Sequence, residues 1–356
     1  MNKKLLALLL LIAAMFLFAA CREDEDPAPD VGAGDYEAYT EPGDDMPPTD
    51  GAAAAFEMPS NVRLIMATGG VAGTYYPLGG AMASVINNYT DIHVSITSSG
   101  ASADNVQQIG LGDAHVAIVQ NDVMYYAFTG TSIWEGQPPV TNMATLMSLY
   151  PETIHIVTLA DSGIYSVSDL VGQRVSVGAL GSGVAANASQ VLAAYGLTID
   201  DLNVFHLNFA DSASAMQDFN LDAFFVTAAT PNTAVRELSH NRDLRIVPLS
   251  EEGINSLMSD YNFYVRVEVT NDEIDGYSFV TDPVPTVAVQ ATLIASTDLD
   301  DAVAYHIVRS LIENQREVAE GHARGAYISP FNAVQSISVN LHPGALRFFE
   351  GLGILD

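Results

Sequence analysis

One pattern recurs along this chain and limits the folds that are open to it. A short strand-like run of apolar residues passes into a loop of small and polar residues, and a stretch with helical spacing follows. In the first copy, residues 62–67 form the run, residues 68–76 read Thr-Gly-Gly-Val-Ala-Gly-Thr-Tyr-Tyr, and helical spacing continues through Ile86. This alternation predicts an α/β fold.

The glycines of the first loop suit it to hold a ligand. Gly69, Gly70 and Gly73 let the backbone come close to a bound molecule. Amides at the start of the following helix, where Pro77 suits the first position, present N–H donors to an anion. Glycine-rich turns between a strand and a helix also occur in α/β proteins that bind nothing there, so this loop alone leaves both interpretations open.

Four further strand-like runs end in loops of the same kind. In order, the runs and their loops are residues 93–97 before 98–102, residues 115–119 before 120–122, residues 175–177 before 178–183, and residues 222–227 before 228–231. Ser102 is predicted to cap a helix over residues 103–110. Ligands of open α/β sheets bind outside the carboxyl ends of the strands. We therefore expect the first three loops to share one pocket and the last two to face it from a second lobe.

Two β-rich stretches are placed to connect these lobes. Residues 153–159 lie between the two sets of loops, and residues 283–294 carry the chain back. Two crossings of this kind make a hinge. The C-terminal third then returns to the first lobe as helices, one over residues 302–318 and a last one that starts near Pro343.

The N-terminus has the pattern of an export signal. Lys3 and Lys4 precede an apolar run over residues 5–20, which is short for a membrane span, and Cys21 follows directly. We predict a lipoprotein signal peptide at residues 1–20, with Cys21 acylated after cleavage. The alternative is an ordinary signal peptide with an incidental cysteine. Since Cys21 is the only cysteine, no disulfide can form within the chain.

The segment that follows is strongly acidic. Residues 21–58 carry Asp and Glu at many positions together with several prolines, a composition that does not bury a core. We interpret it as a disordered linker that holds a folded body away from the membrane. The formal net charge is −30, and Lys3 and Lys4 are the only lysines, so nucleic-acid binding is excluded as a function.

Eight ordered blocks resemble the TAXI family of extracytoplasmic solute receptors, which serve TRAP-type secondary transporters. Residues 68–80 read TGG-xx-GTYYPLGG, and residues 99–105 read SGAS-x-DN. The other blocks are residues 120–130, 149–157, 169–177, 181–183, 222–225 and 341–345, so that the likeness spans about residues 60–353.

The resemblance implies a type II periplasmic-binding-protein fold, in which two α/β lobes joined by a hinge of two strands close over a ligand. It also implies a TRAP membrane subunit as partner and a ligand related to glutamate, glutamine or a dicarboxylate. We place lobe I at residues 59–153 plus 286–356, and lobe II with its hinge strands at residues 154–285. The location implied is extracytoplasmic, with the lipid on Cys21 as membrane anchor.

No predicted pocket loop contains Lys or Arg, so a carboxylate has to be held by amides and neutral side chains. Gln120 and Asp122 suit a ligand amine or hydroxyl, although Asp122 alternatively only caps a helix. The ligand, anionic or zwitterionic, is expected to contact Thr68, Gly69, Gly70, Gly73, Thr74, Tyr75, Ser98, Ser99, Gln120, Asp122, Ser182, Gly183 and Thr227. We expect no cofactor, no metal site and no catalytic residue.

Other conspicuous side chains have structural interpretations. At least two of the three tyrosines Tyr76, Tyr125 and Tyr126 are expected to pack helices onto the sheet. His155 and His342 are assigned to structural contacts, and Arg174 to solvent or to an acid on lobe II.

Two alternatives to the TRAP receptor stay open. An enzyme is the first, but the chain has no HExxH, no GxSxG, no cysteine nucleophile and no Walker lysine. The second is a binding module of the same fold that serves an ABC importer or a sensor kinase. The partner surface separates these, and a single sequence does not identify it.

Overall fold

The computed structural model describes residues 56–272 and 276–355. The predicted signal peptide, Cys21 and the predicted linker up to residue 55 lie outside these residues, and what the sequence predicts for them stays a prediction. Phe56, assigned to the linker, packs its ring 5.5 Å from that of Tyr305, and its carbonyl oxygen lies 2.9 Å from His306 Nε2. The last residues of the predicted linker therefore belong to the folded part.

The first half of the chain alternates parallel strands with helices. Its elements are β1 (Val62–Ala67), α1 (Tyr75–Tyr89), β2 (Ile92–Thr97), α2 (Ser102–Leu111), β3 (Val116–Gln120) and α3 (Asn121–Thr129). β1 lies between β2 and β3 and runs parallel to both. β3 is buried along its whole length, which explains its continuous apolar run. The apolar side of α1, with Leu78, Met82 and Ile86, packs on this sheet.

Two details of these helices differ from the prediction. α1 begins at Tyr75, so Pro77 lies at its third position and not at its first. Ser102 is the first residue of α2 and not its cap, since the cap position belongs to Ala101, which has a positive φ. The Ser102 hydroxyl instead accepts a hydrogen bond from the Gln120 amide at 3.1 Å, which ties the loops after β2 and β3 together.

Two long antiparallel strands connect the halves of the molecule. They are β4 (Met143–Leu159) and β10 (Val284–Ser296), paired with each other from Met143 to Thr153 along β4. β10 also pairs with β3, while the far end of β4 pairs with a strand of the second half. The two predicted crossings are thus present, and the first is a 17-residue strand that is longer than its predicted stretch.

The second half repeats the arrangement of the first. Its elements are β5 (Arg174–Ser176), α4 (Gly183–Ala194), β6 (Asn203–Phe205), α5 (Phe209–Gln217), β7 (Ala223–Ala228), α6 (Thr233–Ser239), β8 (Leu244–Val247), α7 (Glu251–Asp260) and β9 (Val265–Val269). β5 lies between β6 and β7 and is parallel to both. β4 then pairs antiparallel with β7 and with β8, and β9 pairs with β10.

The C-terminal part is helical. It comprises α8 (Asp301–Glu313), α9 (Gln315–Gly321) and α10 (Pro343–Gly351). The prediction of one helix over residues 302–318 is wrong, because the backbone leaves the helical region at Asn314. Pro343 does open the last helix, and the His342 ring caps it by accepting from the Gly344 amide at 3.3 Å.

The strand order β2-β1-β3-β10-β4-β7-β5-β6 contains the same topology twice. Each half has its first strand between its second and third, and an antiparallel crossing strand beside the third. The fold is therefore the predicted α/β class, with the two lobes of a type II periplasmic-binding-protein fold. Among the residues that the structure describes, no helix is long and apolar enough to cross a membrane.

We keep the lobe boundaries 59–153 plus 286–356 and 154–285 as a proposal, which the distribution of the core supports. Two hydrophobic clusters are built almost wholly from residues 64–150 and 291–349. Two others are built almost wholly from residues 154–289. Each lobe thus buries its own apolar side chains, and the strands β4 and β10 are the covalent connection between them.

Candidate functional site

A cavity of about 450 Å³ lies between the lobes, at the carboxyl ends of the parallel strands. Loops from both lobes form its wall: those after β1, β2 and β3 on one side and those after β5, β6 and β7 on the other. This is the position where α/β folds of this kind bind ligands. The loop after β6 was not predicted, because β6 has only three residues and no apolar run marks it.

The structure brings most of the predicted ligand-binding residues together in this cavity. Ten of them line it: Gly69, Gly70, Gly73, Thr74, Tyr75, Ser99, Gln120, Ser182, Gly183 and Thr227. The other three do not. Thr68 is buried beneath the loop, where its hydroxyl donates to the Thr97 carbonyl at 2.6 Å, Ser98 is exposed, and Asp122 is buried outside the cavity. Direct ligand contact through Thr68, Ser98 and Asp122 is therefore a prediction that this arrangement does not support.

Backbone amides are the donors that this cavity offers. Among the described residues, no acceptor takes the N–H groups of Gly69, Gly70 and Thr74, which precede α1, while the Gly73 amide is used by the Gly70 carbonyl at 2.9 Å. Across the cavity, the first two amides of α4, at Gly183 and Val184, are equally without an acceptor in the described part of the protein. The loop before α1 and the N-terminus of α4 thus each present free N–H groups, and together they form a site for an anionic group.

The hydroxyl groups predicted for the site bond within the protein instead. The Ser99 hydroxyl donates to the Thr68 carbonyl or the Asn105 amide oxygen, at 3.0 and 2.6 Å, and accepts from the Ala101 amide. The Ser182 hydroxyl donates to the Ala179 carbonyl at 2.7 Å. These side chains hold the loops in shape, and the amides carry the free donor capacity.

A buried carboxyl group is the main feature that sequence reasoning missed. Glu152 lies on β4 between the lobes, is 2 % exposed and lines the cavity. The Tyr75 hydroxyl donates to its Oε2 at 2.6 Å. Burial raises the pKa of Glu152 to about 8, opposed by the Tyr75 hydrogen bond and assisted by the nearby Asp122 carboxylate. Glu152 is the only acidic residue of β4, whose other residues are apolar or neutral polar apart from His155, and this was the available signal.

Asp122 belongs to a buried polar network that joins the lobes. Its carboxylate accepts from the Val123 amide at 2.8 Å and from Asn187 Nδ2, on α4, at 2.9 Å. Asn187 also donates to the Tyr264 hydroxyl, which in turn bonds to Gln190. Burial raises the pKa of Asp122 to about 6, and these hydrogen bonds limit the rise. The role of Asp122 in this arrangement is to connect α3 with α4.

Two acceptors among the cavity-lining side chains have no partner in the protein. Gln120 Oε1 and Thr227 Oγ1 are both buried, and neither makes a hydrogen bond within the described residues. Gly183 lies against the Gln120 side chain so closely that a Cβ built there would overlap it. Buried acceptors without a donor are costly unless a bound molecule supplies one.

The lobes touch on both sides of the cavity. On one side, the Gly181 carbonyl accepts from the first-turn amides of Ala103 and Asp104 at 3.0 and 3.2 Å. On the other, Asn232 Nδ2 donates to the Ala72 carbonyl at 3.4 Å. The described arrangement is consequently a closed one, in which contacts between lobes surround the cavity.

The loop after β6 completes the wall. Asn208 caps α5 by accepting from the Asp211 amide at 3.0 Å, and its Nδ2 donates to the Asp211 carboxylate at 2.7 Å. Phe209 reaches across to the first loop, where a Cβ built at Gly73 would lie 3.7 Å from its ring. An asparagine followed three residues later by aspartate is a capping pattern that could have predicted this turn from the sequence.

The remaining side chains of interest lie elsewhere. His155 bonds to the Tyr277 hydroxyl at 2.9 Å, and burial lowers its pKa to about 4. Arg174 pairs with Asp222 at 2.6 Å, on the surface of the second lobe, as expected. Tyr125 and Tyr126 pack on Phe263, which lies in the turn between α7 and β9, so their packing of helices onto the sheet stays a prediction. Among the described residues, no group of three or more His, Cys, Asp and Glu side chains is arranged to hold a metal ion.

A family model described as the NMT1-like family matches residues 66–353. This match spans most of the chain, and the chain therefore belongs to the NMT1-like family. The matched range includes every loop that lines the cavity.

Several solved structures are similar to this chain at low identity. The alkanesulfonate-binding protein SsuA from Xanthomonas axonopodis pv. citri, bound to MOPS, is 11% identical over 82% of this chain and 85% of that chain, with a TM-score of 0.45. The periplasmic aliphatic sulphonate binding protein SsuA from Escherichia coli is 14% identical over 83% and 84%, with a TM-score of 0.45. The substrate binding protein of an amino acid ABC transporter is 12% identical over 73% and 96%, with a TM-score of 0.43. Likenesses at this level carry no information about what this chain binds.

Proposed function

We propose that this member of the NMT1-like family is an extracytoplasmic solute-binding receptor of the TAXI type. It captures a small carboxylate or amino acid, related to glutamate, glutamine or a dicarboxylate, and delivers it to a TRAP transporter membrane subunit. The observation that carries the proposal is the cavity of about 450 Å³ between two lobes, walled by the carboxyl-end loops of both and supplied with free amides from the loop before α1 and from the N-terminus of α4.

Capture follows from the contacts between the lobes. A solute held by the amides of Gly69 and Gly70 on one lobe and by those of Gly183 and Val184 on the other contacts both lobes only when they are close together. Such a solute stabilises the closed state in proportion to its preference for that state. The hinge strands β4 and β10 absorb the movement, and the membrane subunit recognises the closed receptor.

The chemistry of the cavity supports binding and not catalysis. The hydroxyls of Ser99 and Ser182 are engaged with carbonyl or amide oxygens, and neither forms a hydrogen bond to a base among the residues described. The buried carboxyl of Glu152 contacts a tyrosine, which is a neutral donor. We therefore propose that the protein is not an enzyme and that it uses no cofactor.

The first experiment is the identification of small molecules released when the purified full-length protein is denatured, by mass spectrometry, followed by calorimetry with each candidate. A stoichiometric amino acid or carboxylate that rebinds supports the receptor. If the protein retains no small molecule and gives no heat with any amino acid or dicarboxylate, the receptor proposal is wrong.

The TRAP partner is tested by uptake of the identified solute in cells that carry this protein. A TRAP system predicts uptake that stops when ion gradients are collapsed and continues when ATP is depleted. The alternative, the same binding module serving an ABC importer, predicts the reverse dependence. A sensor kinase as partner predicts no uptake that depends on this protein.

Lipid anchoring through Cys21 is a separate part of the proposal. It rests on the apolar run over residues 5–20 and the cysteine directly after it, all outside the described residues. We expect the mature protein to begin with a lipid-modified Cys21, detected as a mass increase on its N-terminal peptide, and to remain with membranes. In Cys21→Ser, the protein should leave the membrane fraction, whereas unchanged membrane association would contradict the anchor.

A further inference from the structure

The charges around the cavity are one-sided. Of the described residues that line it, none is Lys, Arg or His, and two carry carboxyl groups, Glu152 and Asp211. Asp211 is exposed and holds the side-chain amide of Asn208 at 2.7 Å. Glu152 is buried, which leaves it as the one cavity-lining carboxyl in the described residues that is withdrawn from water.

A buried carboxyl needs either a proton or a positive partner, because ionisation without one is costly in a poorly solvated site. Among the residues that the structure describes, the groups that face Glu152 from the elements around it do not supply a cation. Tyr75 on α1 and Tyr150 on β4 are neutral, and Asp122 on α3 carries a charge of the same sign. The positive charge of Arg324 opposes the rise in the pKa of Tyr150 that burial causes, and its guanidinium donates a hydrogen bond to the Thr230 carbonyl.

The two unpartnered acceptors lie close to Glu152 in the sheet. Gln120 on β3 pairs with Ala291 of β10. Glu152 on β4 pairs with Val289, which is two residues away from Ala291 on the same strand. Thr227 on β7 pairs with Ile154 of β4, which is two residues beyond Glu152. One region of the cavity therefore collects hydrogen-bond acceptors, while the amides before α1 and α4 offer donors.

A molecule that satisfies both regions carries N–H donors with a positive charge at one position and an anionic group at another. We propose that Glu152 is the specificity-determining residue of this cavity, and that it receives the ammonium group of a zwitterionic amino-acid solute, with Gln120 and Thr227 as additional acceptors. This inference rests on the proposed receptor function and names the chemical class of its solute. It replaces Asp122, the acid that the sequence suggested for this role, with one that lines the cavity.

The assignment has a consequence for proton exchange. Without solute, Glu152 holds its proton up to a pH of about 8, as burial dictates. An ammonium group beside it favours the carboxylate, so binding of an amino acid below that pH releases a proton. Affinity for the amino acid then rises with pH, by up to about tenfold per pH unit between pH 6 and 8. The affinity for a solute that lacks the ammonium group does not rise between pH 6 and 8, and it falls above pH 8.

The test compares solutes that differ only in the ammonium group, by calorimetry on the purified full-length protein after removal of retained molecules. Three matched pairs serve as probes: L-glutamate and glutarate, L-glutamine and glutaramate, and L-leucine and 4-methylpentanoate. We expect one amino acid to bind at least about tenfold more tightly than its partner at pH 8, with an affinity that falls toward pH 6. Titration in buffers of different ionisation enthalpy should detect the released proton at pH 6.5.

A substitution assigns the effect to one residue. Glu152→Gln keeps the shape of the side chain and removes its charge, so we expect it to abolish the preference for the amino acid and the pH dependence together. Glu135→Gln is the matched control, because it makes the same change at an exposed glutamate outside the cavity lining, and it should leave both unchanged. Since the matched pairs are also compared on the unmodified protein, the proposal stays testable if Glu152→Gln does not fold.

The outcomes separate this inference from the receptor proposal. Equal or tighter binding of a deaminated partner by the unmodified protein overturns the role of Glu152 and leaves the receptor function standing. If folded Glu152→Gln keeps the preference for the amino acid, the role of Glu152 is likewise overturned and the receptor function stands. If none of the six probes binds and the protein retains no small molecule, the receptor function fails, and the inference fails with it.

Discussion

The Tyr75 hydroxyl donates a 2.6 Å hydrogen bond to Glu152 Oε2, and this bond joins the first helix of one lobe to the strand that crosses into the other. Both side chains are buried, and both line the cavity. A change in the charge of Glu152 therefore alters the hydrogen bond that holds Tyr75. The loop with the free amides of Gly69 and Gly70 ends only a few residues before Tyr75.

Removal of this bond should destabilise the protein. Tyr75→Phe leaves a buried carboxyl without its donor, and we expect the free energy of unfolding to fall by about 1–3 kcal/mol above pH 8, where Glu152 is ionised. Urea unfolding measures the loss. Tyr76→Phe is the control, because Tyr76 is half-buried and its hydroxyl makes no hydrogen bond among the described residues. Equal losses in the two variants would contradict the importance of the bond.

The ligand-free protein should lose stability between pH 6.5 and 8. Folding raises the pKa of Glu152 to about 8, so the folded protein keeps a proton that the unfolded chain releases near its ordinary value of 4.5. The free energy of unfolding therefore falls as pH rises through this interval, by at most about 2 kcal/mol between pH 6.5 and 8.

Other groups act mainly below this window. Asp122, with its pKa raised to about 6, adds to the fall at lower pH. Burial lowers the pKa of His155 to about 4 and also lowers the pKa values of His322 and His342, and these three oppose the fall because the unfolded chain binds their protons more readily. Comparison of the unmodified protein with Glu152→Gln, by urea unfolding at pH 6.5, 7.25 and 8, isolates Glu152. The Glu152→Gln variant should show no fall in the free energy of unfolding across the three values, and a slope equal to that of the unmodified protein would assign the effect to another group.

Closure should depend on the absence of a side chain at residue 183. In Gly183→Ala, the added Cβ overlaps the Gln120 side chain of the facing lobe, so the closed arrangement has to open or repack. We expect at least a tenfold loss of solute affinity and an increased radius of gyration in small-angle scattering with solute present, with thermal stability of the ligand-free protein little changed.

Gly80→Ala is the control for this substitution. Gly80 lies on α1, where the nearest atom to an added Cβ is Ile96 Cδ1 at 3.7 Å, an ordinary contact. This variant should bind as the unmodified protein does and gain about 1 kcal/mol from helix propensity. Unchanged affinity in Gly183→Ala would show that the lobes do not need this close approach.

The network around Asp122 should respond to pH. Asn187→Leu removes the donor to the buried Asp122 carboxylate, which raises its pKa above about 6 and costs about 1–3 kcal/mol of stability at pH 7.5. The loss should be smaller at pH 5, where Asp122 is protonated. Ser189→Ala on the same helix is the control, because within the described part of the chain its hydroxyl bonds only to the Ala185 carbonyl. A loss that does not vary with pH would mean that Asn187 acts through packing alone.

The sequence alone determined the α/β class and most of the loops that form the cavity. β1 has the bounds that its apolar run predicts, and ten of the predicted residues line the cavity. These features are local: a strand, its loop and the next helix are encoded by neighbouring residues, and parallel strands bring the loops to one edge.

Tertiary structure alone decided which groups are buried together. Glu152 and Tyr75 are 77 residues apart in the chain, and nothing in the local pattern around either predicts their contact. The same holds for Asp122, whose local sequence suggests a ligand contact but whose carboxylate bonds to Asn187 of the other lobe. Burial, and with it the raised pKa of each acid, depends on how two lobes pack across the sheet, because desolvation comes from all surrounding elements at once and not from sequence neighbours.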